Sequence, residues 1–145
     1  IANRAEIQVD VRVLPGDTQD GIDQAFRDII GPDLLPSCEI EQILPEREDG
    51  AAFSSTDTPL WQALTDSIQM AYPNAAVVPS LVSGGTDARF FRKMGIPAYG
   101  AGLLSSDLQL PEFLNRFHGH NERTDVKSLE LTTQLWLDVL DRLWV

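Results

Sequence analysis

The sequence predicts an α/β fold. Residues 5–13 alternate strictly between apolar and polar side chains, residues 22–30 repeat apolar side chains at helical spacing, and beyond residue 52 short apolar runs alternate with helical ones. A chain that alternates strands and helices in this way builds a sheet with at least some parallel strands.

Ala5, Ile7, Val9, Val11 and Val13 share one face of the opening segment, while Glu6, Gln8, Asp10 and Arg12 share the other. A period of two is that of a half-buried β-strand. Pro15 and Gly16 break it, and Ile22, Ala25, Phe26, Ile29 and Ile30 then mark one helix face until Gly31 and Pro32 stop the helix. A second strand is expected over "CEIEQIL", with Cys38 in its core. Two strands and a helix bury too little alone, so these fifty residues are expected to need partner strands.

The polar, small-residue stretch "PEREDGAAFSSTDT" reads as a linker, which places a domain boundary near Ala52. Thr58 then caps a helix with Pro59 in its first position, lined by Leu60, Leu64, Ile68 and Ala71 and ended by Tyr72 and Pro73. "AAVVPS" reads as a short buried strand, "ARFFRKM" as a short helix closed by Gly95, and "IPAYGAG" as another strand. A final helix over 126–144 is expected to bury Leu129, Trp136, Val139, Leu140 and Leu143.

Bulk properties narrow the function. The chain has 145 residues, 22 acidic and 11 basic side chains, and a formal net charge of -11. That charge disfavours the phosphate backbone of nucleic acid and anionic membrane surfaces. Apolar runs are too short to span a bilayer. Cys38 is the lone cysteine, so no intrachain disulfide forms, and a cytoplasmic location is the default.

Two stretches can carry chemistry. "FHGHNER" holds both histidines, His118 and His120, which in an extended segment would point to one side and reach one ion. Two surface-loop histidines account for the same residues. "SGGTDARFF" pairs Gly84 and Gly85 with a helix beginning at Thr86 or Asp87 and with Arg89, whose planar fork suits a carboxylate. An ordinary strand-to-helix turn with a capping Thr or Asp also accounts for it. No "GxSxG" elbow accompanies Ser54 and Ser55, and no Lys-Ser/Thr ending makes the Gly pair a phosphate loop.

In order, "VDVRVLPGDT", "DTPLWQAL", "SGGTDARFFRKMGIPAYG" and "FHGHNERTDVKSLE" resemble the C-terminal portion of the zinc-dependent metallopeptidases that include aminoacylase, carboxypeptidase S, succinyl-diaminopimelate desuccinylase and glutamate carboxypeptidase. The resemblance spans essentially the whole chain. It implies that residues 1–52 are the second half of an α+β lid, often a homodimer interface, and that 53–145 are the closing segment of an α/β catalytic domain holding two zinc ions. His118, four residues before Glu122, then matches the last zinc ligand, and His120 does not. Arg89, after the "TD" of the Gly-rich loop, matches the arginine that grips the substrate carboxylate, with Gly84, Gly85, Thr86 and Asp87 around it.

The resemblance places the other ligands and the catalytic Glu in the preceding half of the catalytic domain; the Asn of the family's "NVIP"-like lid stretch would align just ahead of Ile1, and Asn3 does not replace it. The implied substrate is an N-acyl amino acid or small peptide with a free carboxylate. The rival is a non-catalytic carboxylate-binding or dimerisation module. One histidine and water bind zinc weakly, so the purified 145-residue chain is expected to be inactive. Turnover of an N-acetyl amino acid by that chain would contradict this.

Overall fold

The computed structural model describes residues 3–43, 52–82 and 84–144. It divides into two compact units, Ile1–Phe53 and Ser54–Val145.

In the first unit one helix, α1, spans Gln19–Ile30. Thr18 caps it: the side-chain oxygen accepts from the Gly21 N–H at 3.2 Å. Gly31 ends it at φ 77°, a left-handed conformation that glycine adopts without a Cβ penalty, and its N–H bonds the Arg27 carbonyl. The Pro15–Gly16 turn is fastened twice, by Leu14 N–H to the Asp17 carboxylate at 2.6 Å and Asp17 N–H to the Leu14 carbonyl at 3.0 Å.

Ahead of that turn the chain forms no strand and pairs with none among the described residues, and Ile7 is 85% exposed. The same holds for the described part of "CEIEQIL", and Cys38 is exposed rather than core. Leu44, its last residue, lies outside the described residues. No side chain of α1 is buried either. The apolar faces are present, and the layer that would cover them is not among the described residues.

The second unit is built on the packing of α2, Pro59–Ala71, against α5, Val126–Leu143. Ala63 and Leu64 of α2 meet Leu135 and Val139 of α5 and Leu103 of the intervening chain, and Leu60, Ile68, Tyr72, Tyr99, Leu131 and Trp136 pack around them. Thr58 caps α2 by accepting from Trp61 N–H at 3.0 Å, and Pro59 sits where a missing N–H costs nothing. Between these helices lie α3, Ala88–Lys93, and α4, Leu110–Asn115. At the end of α3, Gly95 N–H bonds Arg92 O and Ile96 N–H bonds Phe91 O, the paired bonds of a Schellman cap.

Segment 98–105 has no regular secondary structure and is held by side-chain hydroxyls. Leu103 N–H donates to Thr132 Oγ1 at 2.9 Å, and that hydroxyl donates back to the Leu103 carbonyl. Ser105 N–H donates to Ser128 Oγ at 2.8 Å, and the Tyr72 hydroxyl donates to Leu104 O at 2.6 Å. A Cβ on Gly102 would meet Thr132 Oγ1 at 3.4 Å, an ordinary van der Waals contact, so Thr132 packs directly over this backbone. At the other end Ala98 N–H donates to Ser54 Oγ, which donates to Ala98 O, while Arg92 reaches both oxygens.

Two expectations need correction. The α/β assignment is not confirmed, because among the described residues there is no strand: "AAVVPS" and "IPAYGAG" take no regular secondary structure, and Val78 is 72% exposed instead of buried. Backbone groups that a neighbouring strand would take are partly taken by α5 hydroxyls instead.

The buried face of α5 is also turned. Ser128, Leu135 and Val139 are buried, whereas Leu129 is 56% exposed and lies with Val126, Leu137, Leu140 and Trp144 on a second, outward stripe. A helix with two apolar faces gives a period of 3.6 on either, and the sequence count mixed them.

Asp125 starts α5 as its N-cap. Its carboxylate accepts from Ser128 N–H at 2.8 Å and from the Ser128 hydroxyl at 2.7 Å. These bonds, the backbone one first, and more weakly the Arg116 charge, hold the carboxyl below the usual Asp range.

Leu135→Ala should cost about 2–5 kcal/mol in denaturant unfolding, and Leu129→Ala no more than about 0.5 kcal/mol. Because the folded-state pKa of Asp125 is lowered, its stabilisation is complete above the unfolded value of about 3.9 and is lost as pH falls through the folded value. Asp125→Asn keeps a capping side chain, and the urea midpoint should then fall less steeply on acidification below about pH 4.

Candidate functional site

The first candidate stretch forms a turn into α3. The helix begins at Ala88, the first residue of "ARFFRKM", rather than at Thr86 or Asp87, and Asp87 already has helical angles, φ -65° and ψ -15°, without a side-chain capping bond. Arg89 N–H bonds Thr86 O at 3.2 Å and Phe90 N–H bonds Asp87 O at 3.0 Å. Arg89 therefore sits in the first turn, exposed, with its guanidinium carbon 4.7 Å from the centre of the Phe90 ring. That stacking leaves the rim of the fork open to an oxyanion while the ring supports its face.

Neither Gly84 nor Gly85 is in the left-handed region. A Cβ on Gly84 would meet nothing closer than Val82 Cγ1 at 3.9 Å, and one on Gly85 would meet nothing within 4 Å. Packing among the described residues thus does not demand glycine at either position. Ser83, the first residue of the motif, lies outside the described residues.

The second stretch is the loop from Arg116, the C-cap of α4, to Asp125, the N-cap of α5. It is not extended, so His118 and His120 are not placed side by side by strand alternation. His118 instead has φ 55° and Asn121 φ 61°, both left-handed conformations that non-glycine residues seldom adopt. The His118 side chain is 78% exposed, its ring lies 4.1 Å from that of Phe117, and its Nδ1 is 4.0 Å from Glu122 Oε1. His120 is exposed. Arg123 donates to the Asn121 carbonyl at 3.0 Å and fixes the far side of the loop.

A zinc site needs three or four donors at bonding distance. Among the described residues no group of three or more His, Cys, Asp or Glu side chains is arranged to hold a metal, so these residues do not by themselves fit a zinc centre. His118 and Glu122 bring two donors together and nothing completes the set. Nor does any hydrogen bond, ion pair or ring contact among the described residues join the Gly84–Arg89 turn to the His118 loop.

Sequence reasoning missed Arg116. Its guanidinium binds Glu112 one helical turn earlier and lies 3.9 Å from Asp125 Oδ2, at the neck of the His118 loop. The available signal was the i,i+4 spacing of Glu112 and Arg116 behind Pro111, a pattern typical of a short helix. Ser54 also has a role that the sequence did not show: its hydroxyl is engaged with Ala98 and Arg92. Among the described residues no helix is long and apolar enough to cross a membrane.

Comparison with known proteins adds three findings. The family model for peptidase family M20/M25/M40 matches residues 4–142. The chain is 30% identical over 132 residues to the probable carboxypeptidase S-like 2 of Dictyostelium discoideum, an alignment that covers 88% of this chain and 23% of that relative. The chain thus spans about a quarter of the length of the curated relative it matches. No solved structure matches it. With the family model running through both candidate stretches and nearly end to end, this chain belongs to peptidase family M20/M25/M40.

Proposed function

We propose that this chain is part of a zinc-dependent hydrolase that cleaves an amide bond beside a free carboxylate, in an N-acyl amino acid or a small peptide. The observation that carries the proposal is the family match across residues 4–142, which includes both "SGGTDAR" and "FHGHNER" in order. The name of the Dictyostelium relative, carboxypeptidase S-like, supports a substrate with a free carboxyl end.

In this reading Arg89 grips that carboxylate. The guanidinium is always charged and presents two parallel N–H groups, and holding the substrate by one end sets where the scissile carbonyl falls. Gly84, Gly85 and Thr86 leave the approach to it clear, which accounts for two glycines that packing among the described residues does not require. His118 supplies one metal ligand, and the remaining donors and the general base come from outside the described residues. Zinc would act there as a Lewis acid and as the source of a nucleophilic water. Residues 1–52 form part of the lid, through which two copies pair.

In the full-length protein, Arg89→Lys should raise KM for an N-acyl amino acid roughly 10- to 100-fold, because a point charge replaces a bidentate fork. His118→Ala should lower bound zinc and kcat together. If His118→Ala keeps full zinc and full kcat while Arg89→Lys weakens binding, the chain is a carboxylate-binding module instead.

A further inference from the structure

Residues 117–124 leave the end of α4 and return to the start of α5, and one side chain closes the neck. Arg116, 17% exposed, binds Glu112 on α4 with one guanidinium nitrogen and holds another 3.9 Å from Asp125 Oδ2. Asp125 is itself fixed by two hydrogen bonds from Ser128, whose hydroxyl accepts from Ser105 N–H. The chain of contacts runs from the segment at Ser105, through the first turn of α5, to the guanidinium and back to α4.

Inside the neck lie both left-handed non-glycine residues described, His118 and Asn121. Backbone conformations of this kind persist where the surroundings hold them. Within the loop the only His118 partners are the Phe117 ring and a 4.0 Å pair with Glu122, both on the loop itself or at its edge. The tie to the helices is therefore made below the loop, where Phe117 also meets Phe113 of α4 at 5.8 Å.

We propose that Arg116 is a positioning residue for His118: by bridging Glu112 on α4 and Asp125 at the start of α5, it ties the neck of the 117–124 loop and holds His118 in its left-handed conformation. The proposal rests on the reading of His118 as a working residue of the hydrolase. Two carboxylates on two helices call for a side chain that addresses both at once, which the guanidinium fork does and an ammonium does not. The Arg116 side chain is mostly covered while Glu112 stays half exposed, so the value of the pairs lies in the geometry they fix more than in their strength.

The test uses the full-length protein with Arg116→Gln, Arg116→Lys and His118→Ala, followed by hydrogen exchange and steady-state kinetics. Arg116→Gln should speed exchange in 117–124 roughly tenfold while leaving α2 and α5 unchanged. It should lower kcat roughly 10- to 100-fold with little change in KM, and Arg116→Lys should recover part of both. Unchanged exchange in 117–124, or an equal rise in α2 and α5, would overturn the proposal. Full kcat in His118→Ala would sink the hydrolase role of His118, and the exchange comparison would still decide what Arg116 does to the loop.

Discussion

The contact between α2 and α5 is the constraint from which the second unit follows. Leu64 and Ala63 close on Leu135 and Val139, and this pairing with Leu103 makes the buried apolar core among the described residues. Serine and threonine on the same face of α5 then do a second job. Ser128 and Thr132 point hydroxyls at the backbone of Leu103 and Ser105, so the helix that supplies the core also satisfies the polar groups of the segment lying on it. A wholly aliphatic face would bury more apolar surface and leave those backbone groups unpaired, at a cost of about 1–3 kcal/mol for each one buried.

The candidate residues hang from this arrangement at its two ends. Asp125 and Ser128, in the first turn of α5, anchor the neck of the His118 loop. Ser54 and Arg92 clamp Ala98, which steadies the chain just after α3 and so the helix that carries Arg89. The loop and the turn themselves are exposed and thinly held, as sites that await further residues and a substrate would be.

Much of the local structure was legible in the sequence. Thr58 caps a helix, Pro59 opens it, and Gly31 and Gly95 close others as expected, because capping depends on a few neighbouring residues, whereas the Thr18 and Asp125 caps emerged only in the structure. What depends on distant partners was not legible. The alternation at Ala5–Val13 encodes a sheet face but cannot supply the neighbouring strand, and the described residues hold none. Leu129 and Leu140 looked like core because α5 has apolar residues on two faces, and periodicity cannot say which face has a partner. Arg89 and His118 were found only through their motifs. Arg116, which no motif marks, became visible when α4 and α5 brought Glu112 and Asp125 to the same guanidinium.

The account's central claim is that this chain contributes one metal ligand to a site completed by other residues. Anomalous diffraction at the zinc edge from crystals of the full-length protein addresses it most directly. The account predicts a zinc ion with the His118 imidazole nitrogen at about 2.1 Å and with His120 outside its coordination shell. A zinc ion that His118 does not touch, or one held by His120 in its place, would contradict it.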